Sequence, residues 1–240
     1  MKISASNKTR VITLLALTVL ASTIGTEFAQ AATTSRYISV SSTGTVKVTP
    51  DAVRLNASVS AIAKVSKEAL TNANIAADKF RSSILANGID KKNLASTTLT
   101  VYPEYNYTQD TGNVLIGYRA SQSFEVIIRN AAKAGEIVDT VVASVGDALY
   151  INGVTPFVYD NSKATEAARI SAVKSAKAKA TSYAKLLGVK IGKIIYLQES
   201  SAPTSYPISM VQAKSDAGAT QIDLGQQDIS VSVSTKWAIS

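Results

Sequence analysis

Apolar and polar positions alternate with a period of two through residues 37–49 and again through 52–63, with Pro50 and Asp51 between them. That pattern predicts two strands joined as a β-hairpin. From Ser66, read as an N-cap, the period becomes helical: Leu70, Ala73, Ala77, Phe80 and Ile84 share one face, and Asn87 and Gly88 stop the helix. Alternation returns at residues 94–107 and 114–129 around a turn at Gln109 to Gly112, a second hairpin. A second helix follows over about 131–145, turning Ala134, Ile137, Val138, Val141 and Val145 inward and ending at Gly146. After a strand at 149–159, a long helix over about 162–187 ends at Gly188. Ile170, Val173, Ala176, Ala180, Ala184 and Leu187 form its expected buried stripe. Strands at 189–198 and 229–239 complete the pattern.

The order ββα ββ α β α β β predicts an α+β fold: a mostly antiparallel sheet built from hairpins, with three helices packed against it. A division into subdomains 37–130 and 131–240 is compatible with the same pattern. Residues 200–227 are rich in Ser, Pro, Gly, Ala and Gln and too long for an ordinary connection, which predicts a flexible loop or one held by a partner. Residues 1–31 have the form of a signal peptide: Lys2, Lys8 and Arg10, an apolar run from Val11 to Leu20, and the cleavage pattern Ala29-Gln30-Ala31. Cleavage there leaves 32–240 as an exported α+β region with no stable transmembrane span.

The chain has no histidine and no cysteine and a formal net charge of +8. Thiolate nucleophiles, disulfides, cysteine metal sites and histidine-based triads are thereby excluded, and a disulfide-free exported chain fits a bacterial envelope. Any catalysis would have to use Ser and Lys, Tyr or carboxylates. Ser171/Lys174 and Ser182/Lys185 both fit the S-x-x-K spacing of penicillin-recognising enzymes, but the S-D-N and K-T-G companions are missing. The acidic residues Asp51, Glu104, Glu125, Asp160 and Glu166 are scattered and lack metal-ligand spacing. No catalytic, metal or cofactor residue is expected, and a hydrolase using carboxylates or Ser/Lys stands as an alternative.

Two surface signals are stronger. Tyr102, Tyr105, Tyr107 and Tyr118 crowd one hairpin, where tyrosine offers a large rigid contact area with a polar tip, or packs across strands. Lys163, Lys174, Lys177 and Lys185 gather on one ridge of the third helix, as a solvated face or as a docking face for an anionic envelope polymer or an acidic protein. Without arginine or interleaved aromatics that ridge does not read as a nucleic-acid surface.

The run Ile38 to Asp51 resembles the opening V-x-G-x-G-x-V-x-x-x-P-D motif of the SIMPL-domain family, with Ser42 in place of its first glycine. Gly117-Tyr118-Arg119-Ala120-Ser121 is similar to the family's G-Y-x-A-S/T element, and Ala184 to Gly192 to its A-x-x-L-G-V-x-L-G closure. Gly88-Ile89, Tyr102 to Tyr107, and the helix segments Glu166 to Arg169 and Ala176 to Ala180 extend the likeness. The resemblance implies a periplasmic, secreted or surface-associated protein with no established enzymatic activity, of a family described as immunogenic envelope proteins or linked to stress tolerance. The expectation is a non-enzymatic interaction or assembly protein that self-associates to cover its sheet edges. A cationic binder of anionic cell-envelope polymer is the alternative.

Overall fold

The computed structural model describes residues 36–109, 112–199, 204–207 and 220–240. Residues 1–31, read above as a signal peptide, lie outside the described residues. The strands are β1 (Tyr37–Val48), β2 (Ala52–Ala63), β3 (Leu94–Thr108), β4 (Gly112–Ile128), β5 (Leu149–Phe157), β6 (Ile191–Glu199), β7 (Thr204–Pro207) and β8 (Gln227–Ile239). The helices are α1 (Ser66–Ala86), α2 (Ala134–Val145) and α3 (Ser162–Leu186). The fold is α+β, as the hydrophobic pattern predicts, and every described strand pairing is antiparallel.

Two four-stranded sheets carry the three helices. The first has the order β1-β8-β6, with β7 also on β8; the second has the order β3-β4-β2-β5. The second expected hairpin forms as β3 and β4. The first does not: β1 pairs with β8, whereas β2 pairs with β4 and β5. The short link between β1 and β2 crosses from one sheet to the other instead of closing a turn. Asp51 anchors the crossing, its carboxylate accepting from Tyr159 N at 2.8 Å and its carbonyl from Ala131 N at 3.2 Å.

The second sheet lies under α1 and α2. Val53, Leu55, Ala57 and Val59 of β2 and Phe124, Val126 and Ile128 of β4 meet Phe80 and Ile84 of α1, and the Phe80 and Phe124 rings stack with centroids 4.7 Å apart. All five inward positions expected of α2 are buried. In α1, Ser66 is the first helical residue rather than the cap; Val65 takes the cap position, and no side chain caps the end. Gly88, Gly146 and Gly188 each follow a helix with positive φ, as helix-stopping glycines do.

Helix α3 packs on the first sheet along a face that keeps Val173, Ala176, Ala180 and Ala184 of the expected stripe but not Ile170 or Leu187. Ala168, Ala172, Ala176, Ala180 and Ala184 are buried, while Ile170 and Leu187 are exposed. The cause is how closely the helix backbone approaches β1. A Cβ on Gly44 would lie 2.1 Å from the Ala168 carbonyl oxygen and 2.4 Å from the Ala172 nitrogen. At that separation the small alanines line the contact, with Val173 packed at its border, while Ile170 and Leu187 point away.

Part of 200–227 is held by the fold. Thr204–Pro207 pair with β8, and Ile222 and Leu224 pack against the α1/α2 core. Thr220 donates its backbone N–H to Asp139 of α2 at 2.9 Å, and its hydroxyl bonds to the same carboxylate. Gly135 allows this approach, since a Cβ there would meet the Thr220 carbonyl oxygen at 1.8 Å. Residues 200–203 and 208–219 lie outside the described residues.

Candidate interaction surfaces

The β3–β4 ribbon is the longest pairing in the molecule's second sheet, and helices cover only its base. Tyr118 is half-buried and joins Ala61, Ala63 and Leu70 around Ala69, Ala73 and Ala120, where α1 meets the sheet. From there to the turn, no described side chain of the ribbon belongs to a core cluster. The register pairs Leu99 with Gln122, Val101 with Ala120, Pro103 with Tyr118, Tyr105 with Leu115 and Tyr107 with Asn113. Paired residues point to the same side of a sheet, and residues two apart on a strand share a face. Leu99, Val101, Pro103, Tyr105, Tyr107 and Leu115 therefore continue the face that carries Ala120 and Tyr118. The core-facing side of the sheet runs on beyond its helices, uncovered, and Tyr105 and Tyr107 are 55% and 72% exposed.

Tyr102 lies on the opposite, polar face with Glu104 and Arg119. Arg119 holds Glu104 in a fork, Nε to Oε2 at 2.9 Å and Nη2 to Oε1 at 3.0 Å, and reaches the Ser60 hydroxyl at 3.3 Å. The guanidinium bonds keep the Glu104 carboxyl below its ordinary value and raise the Arg119 value further. Arg169 of α3 makes a similar fork to Glu199 of β6, at 2.8 and 3.2 Å, and a 2.5 Å contact with Glu166. Those bonds lower the Glu199 value. A depressed folded-state carboxylate stabilises the fold above its unfolded pKa, and the contribution is lost as pH falls through the folded value. Both forks are thus intact at neutral pH and weaken only below the ordinary glutamate value of 4.5. In thermal melts, Glu104→Gln with Glu199→Gln is expected to lower the midpoint at pH 7. The difference from the parent should narrow as pH drops below 4; a constant difference would refute this account of the forks.

The lysines chosen on α3 are all exposed. Lys174, Lys177 and Lys185 line one shallow groove with Ala178, Thr181 and Ser182, and Lys163 stands nearer the start of the helix. The two S-x-x-K pairs sit in this solvent-open setting, without the desolvation through which lysine activates serine. Each scattered carboxylate already has a structural partner. Asp51 holds Tyr159, Glu104 pairs with Arg119, Glu125 with Arg54, Glu166 with Arg169, and Asp160 accepts from Ser162 N at the start of α3.

One feature of the first sheet escapes a reading based on hydrophobicity. On its helix-free face, hydroxyls pair across β1 and β8: Ser41 with Ser234 at 2.9 Å, Thr43 with Ser232 at 2.8 Å and Thr45 with Ser230 at 2.9 Å. Lys47 and Asp228 end the ladder at 3.2 Å. The signal lies in the alternate Ser and Thr positions of both strands, which become meaningful once the two are known to be neighbours.

Two antiparallel sheets, one under α3 and the other under α1 and α2, with an exposed ribbon, define an α+β protein. The chain belongs to the SIMPL family, described as a protein of unknown function (DUF541), which it matches over residues 38–237. It is 31% identical over 223 residues to the 26 kDa periplasmic immunogenic protein of Brucella melitensis, covering 88% of this chain and 87% of that protein. It is also 28% identical over 161 residues to the uncharacterized protein YggE of Edwardsiella ictaluri, covering 66% and 65% of the two chains. With YggE of Escherichia coli K12 the identity is 33% over 103 residues, covering 43% and 42%.

Proposed function

We propose that this protein is an extracytoplasmic interaction and assembly protein that performs no covalent chemistry and self-associates through the uncovered face of the β3–β4 ribbon. The observation that carries the reading is the continuation of the core face past its helices, as Leu99, Val101, Pro103, Tyr105, Tyr107 and Leu115. Water-exposed apolar area of this kind gains free energy when a partner covers it. The composition favours a protein partner: between Thr97 and Gly117 the only charged residues are Glu104 and Asp110, and tyrosine is prominent. A second copy supplies a matching apolar face by symmetry, as an isologous contact requires.

Pro103 defines the kind of contact. Lacking an N–H, it interrupts the outer edge of β3 as a hydrogen-bonding template, so the ribbon joins by its side-chain face rather than by adding a strand. The extracytoplasmic placement is supported by the signal-peptide form of residues 1–31 and by the periplasmic naming of the Brucella relative.

Light scattering on residues 32–240 tests the proposal. The parent is expected to show a mass above that of one chain at micromolar concentration, and Tyr105→Ser with Leu115→Ser to give a monomer with unchanged circular dichroism. A parent that stays monomeric at high concentration, or a folded double variant that assembles like the parent, would overturn it.

A further inference from the structure

A second surface, on the helix-free face of the first sheet, is built from hydroxyls rather than apolar groups. Outward and buried positions alternate along β1, and Ser39, Ser41, Thr43 and Thr45 are all exposed. Opposite them on β8 stand Lys236, Ser234, Ser232 and Ser230, and three of these four pairings are the hydroxyl rungs described above. The Lys47–Asp228 ion pair closes one end of the face. At the other end Tyr37 of β1 and Tyr196 of β6 flank β8, and the Lys236 ammonium lies 4.9 Å from one ring centroid and 5.5 Å from the other. The Tyr196 hydroxyl also bonds Gln198, and the two tyrosines stay 45% and 43% exposed. From Tyr37 to Lys47 the face follows about 34 Å of extended strand.

The chemistry of this face selects a partner. Its charge is nearly balanced: the charged outward residues of β1 and β8 are Lys47, Asp228 and Lys236, and the first two neutralise each other. A polyanion finds little to bind here. Protein contacts are depleted in serine and lysine, so a rank of serines does not suit a second folded surface. The face offers hydrogen bonding from fixed groups instead. A hydroxyl carries one donor and two acceptor sites. In the Ser41–Ser234 and Thr45–Ser230 rungs one O–H serves the bond between the two residues, which leaves each rung one O–H and further lone pairs for another partner. The rung bonds also restrict the hydroxyls before a ligand arrives, which lowers the ordering cost of binding. A ligand that matches donors with acceptors along an extended line, and lays an apolar ring face on tyrosine, is a sugar chain.

We infer that the hydroxyl face of β1 and β8, with Tyr37 and Tyr196 at its end, binds an extended, uncharged glycan chain. Sugar hydroxyls bond the rungs directly or through water, and a pyranose ring stacks at the tyrosine end. The surface belongs to the first sheet and uses no residue of the β3–β4 ribbon, so it stands whether or not the ribbon self-associates.

Pull-down of residues 32–240 with insoluble cellulose and chitin, two uncharged linear glycans, tests this. At least one is expected to retain the protein, and to keep it in about 1 M salt, where charge attraction is screened within about 3 Å. Ser41→Ala with Thr45→Val removes one hydroxyl from each of two rungs and should weaken binding by about 10-fold. Tyr37→Ala with Tyr196→Ala should weaken it by a similar factor, about 10-fold. Circular dichroism of each variant separates lost binding from lost fold, and Lys174→Gln with Lys177→Gln, on α3, should bind as the parent does. Protein that stays in solution with both glycans would overturn the inference. So would retention abolished by salt or by the lysine changes, or a folded hydroxyl variant that binds like the parent, because the contact would then be ionic or lie elsewhere on the molecule.

Discussion

Gly44→Val is expected to be among the most damaging single substitutions in this protein. The glycine lies in β1 directly beneath α3, where the first atom of any side chain would overlap the Ala168 carbonyl oxygen and the Ala172 nitrogen. Both are backbone atoms in the middle of a helix, so neither can turn aside as a flexible side chain would. The helix would have to lift, and lifting it opens the core that Ala172 and Ala176 share with Val231 and Val233. Overpacking of a well-packed core costs about 1–3 kcal/mol even where side chains can adjust. Here the expected loss is about 3 kcal/mol or more, a fall of roughly 10 °C in melting midpoint for a domain of this size. Gly44→Ala should already show much of it, because the clash begins at Cβ. A midpoint within about 1 °C of the parent would mean that α3 does not sit on β1 as described.

Phe80→Ala should produce a loss of similar size in the other core. Phe80 is fully buried on α1, stacks on Phe124 of β4, and lies among Val59, Ala77 and Ile84. Removing it deletes buried apolar surface and leaves a cavity that a helix clamped between sheet and α2 cannot close, at about 3–5 kcal/mol. A thermal or urea melt reads it directly. The comparison that gives the result meaning is Leu186→Ala, where an exposed residue of similar hydrophobicity should change the midpoint little. Equal effects at the two positions would contradict the assignment of inside and outside.

These two positions also show where the sequence is transparent and where it is not. Phe80 was legible because it falls with Ala73, Ala77 and Ile84 on one face of α1, and that helical period survives any choice of tertiary partner. The same holds for α2, for the glycines beyond each helix, and for the β3–β4 turn. Gly44 is different. Its role depends on α3, more than a hundred residues away in sequence, and the matching feature of α3 is a run of alanines whose weak hydrophobicity is outranked by Ile170 and Leu187. Hydrophobic periodicity weights the largest side chains, whereas close backbone packing selects the smallest. The separation of β1 from β2 follows the same logic, since a short link permits a hairpin and only the facing helices decide which sheet each strand joins.

The candidate surfaces were legible to a similar degree. The tyrosines of the ribbon and the lysines of α3 stand out by composition, and most of them are exposed. The register separates Tyr105 and Tyr107, on the uncovered face, from Tyr102, on the polar one, and places Tyr118 against α1. Leu99, Val101 and Leu115 were missed because an alternating strand looks the same whether or not a helix covers its apolar side. Exposure is a property of what is packed where, and it becomes visible only when the helices are in place.

Hydrogen–deuterium exchange of residues 32–240 at two protein concentrations addresses the ribbon most directly. At high concentration, amides of residues 99–107 and 113–116 should exchange more slowly than at high dilution, while those of β2, β8 and α1 keep their rates. Concentration-independent exchange across the ribbon in a sample that has assembled would contradict the account, because association would then use some other part of the molecule.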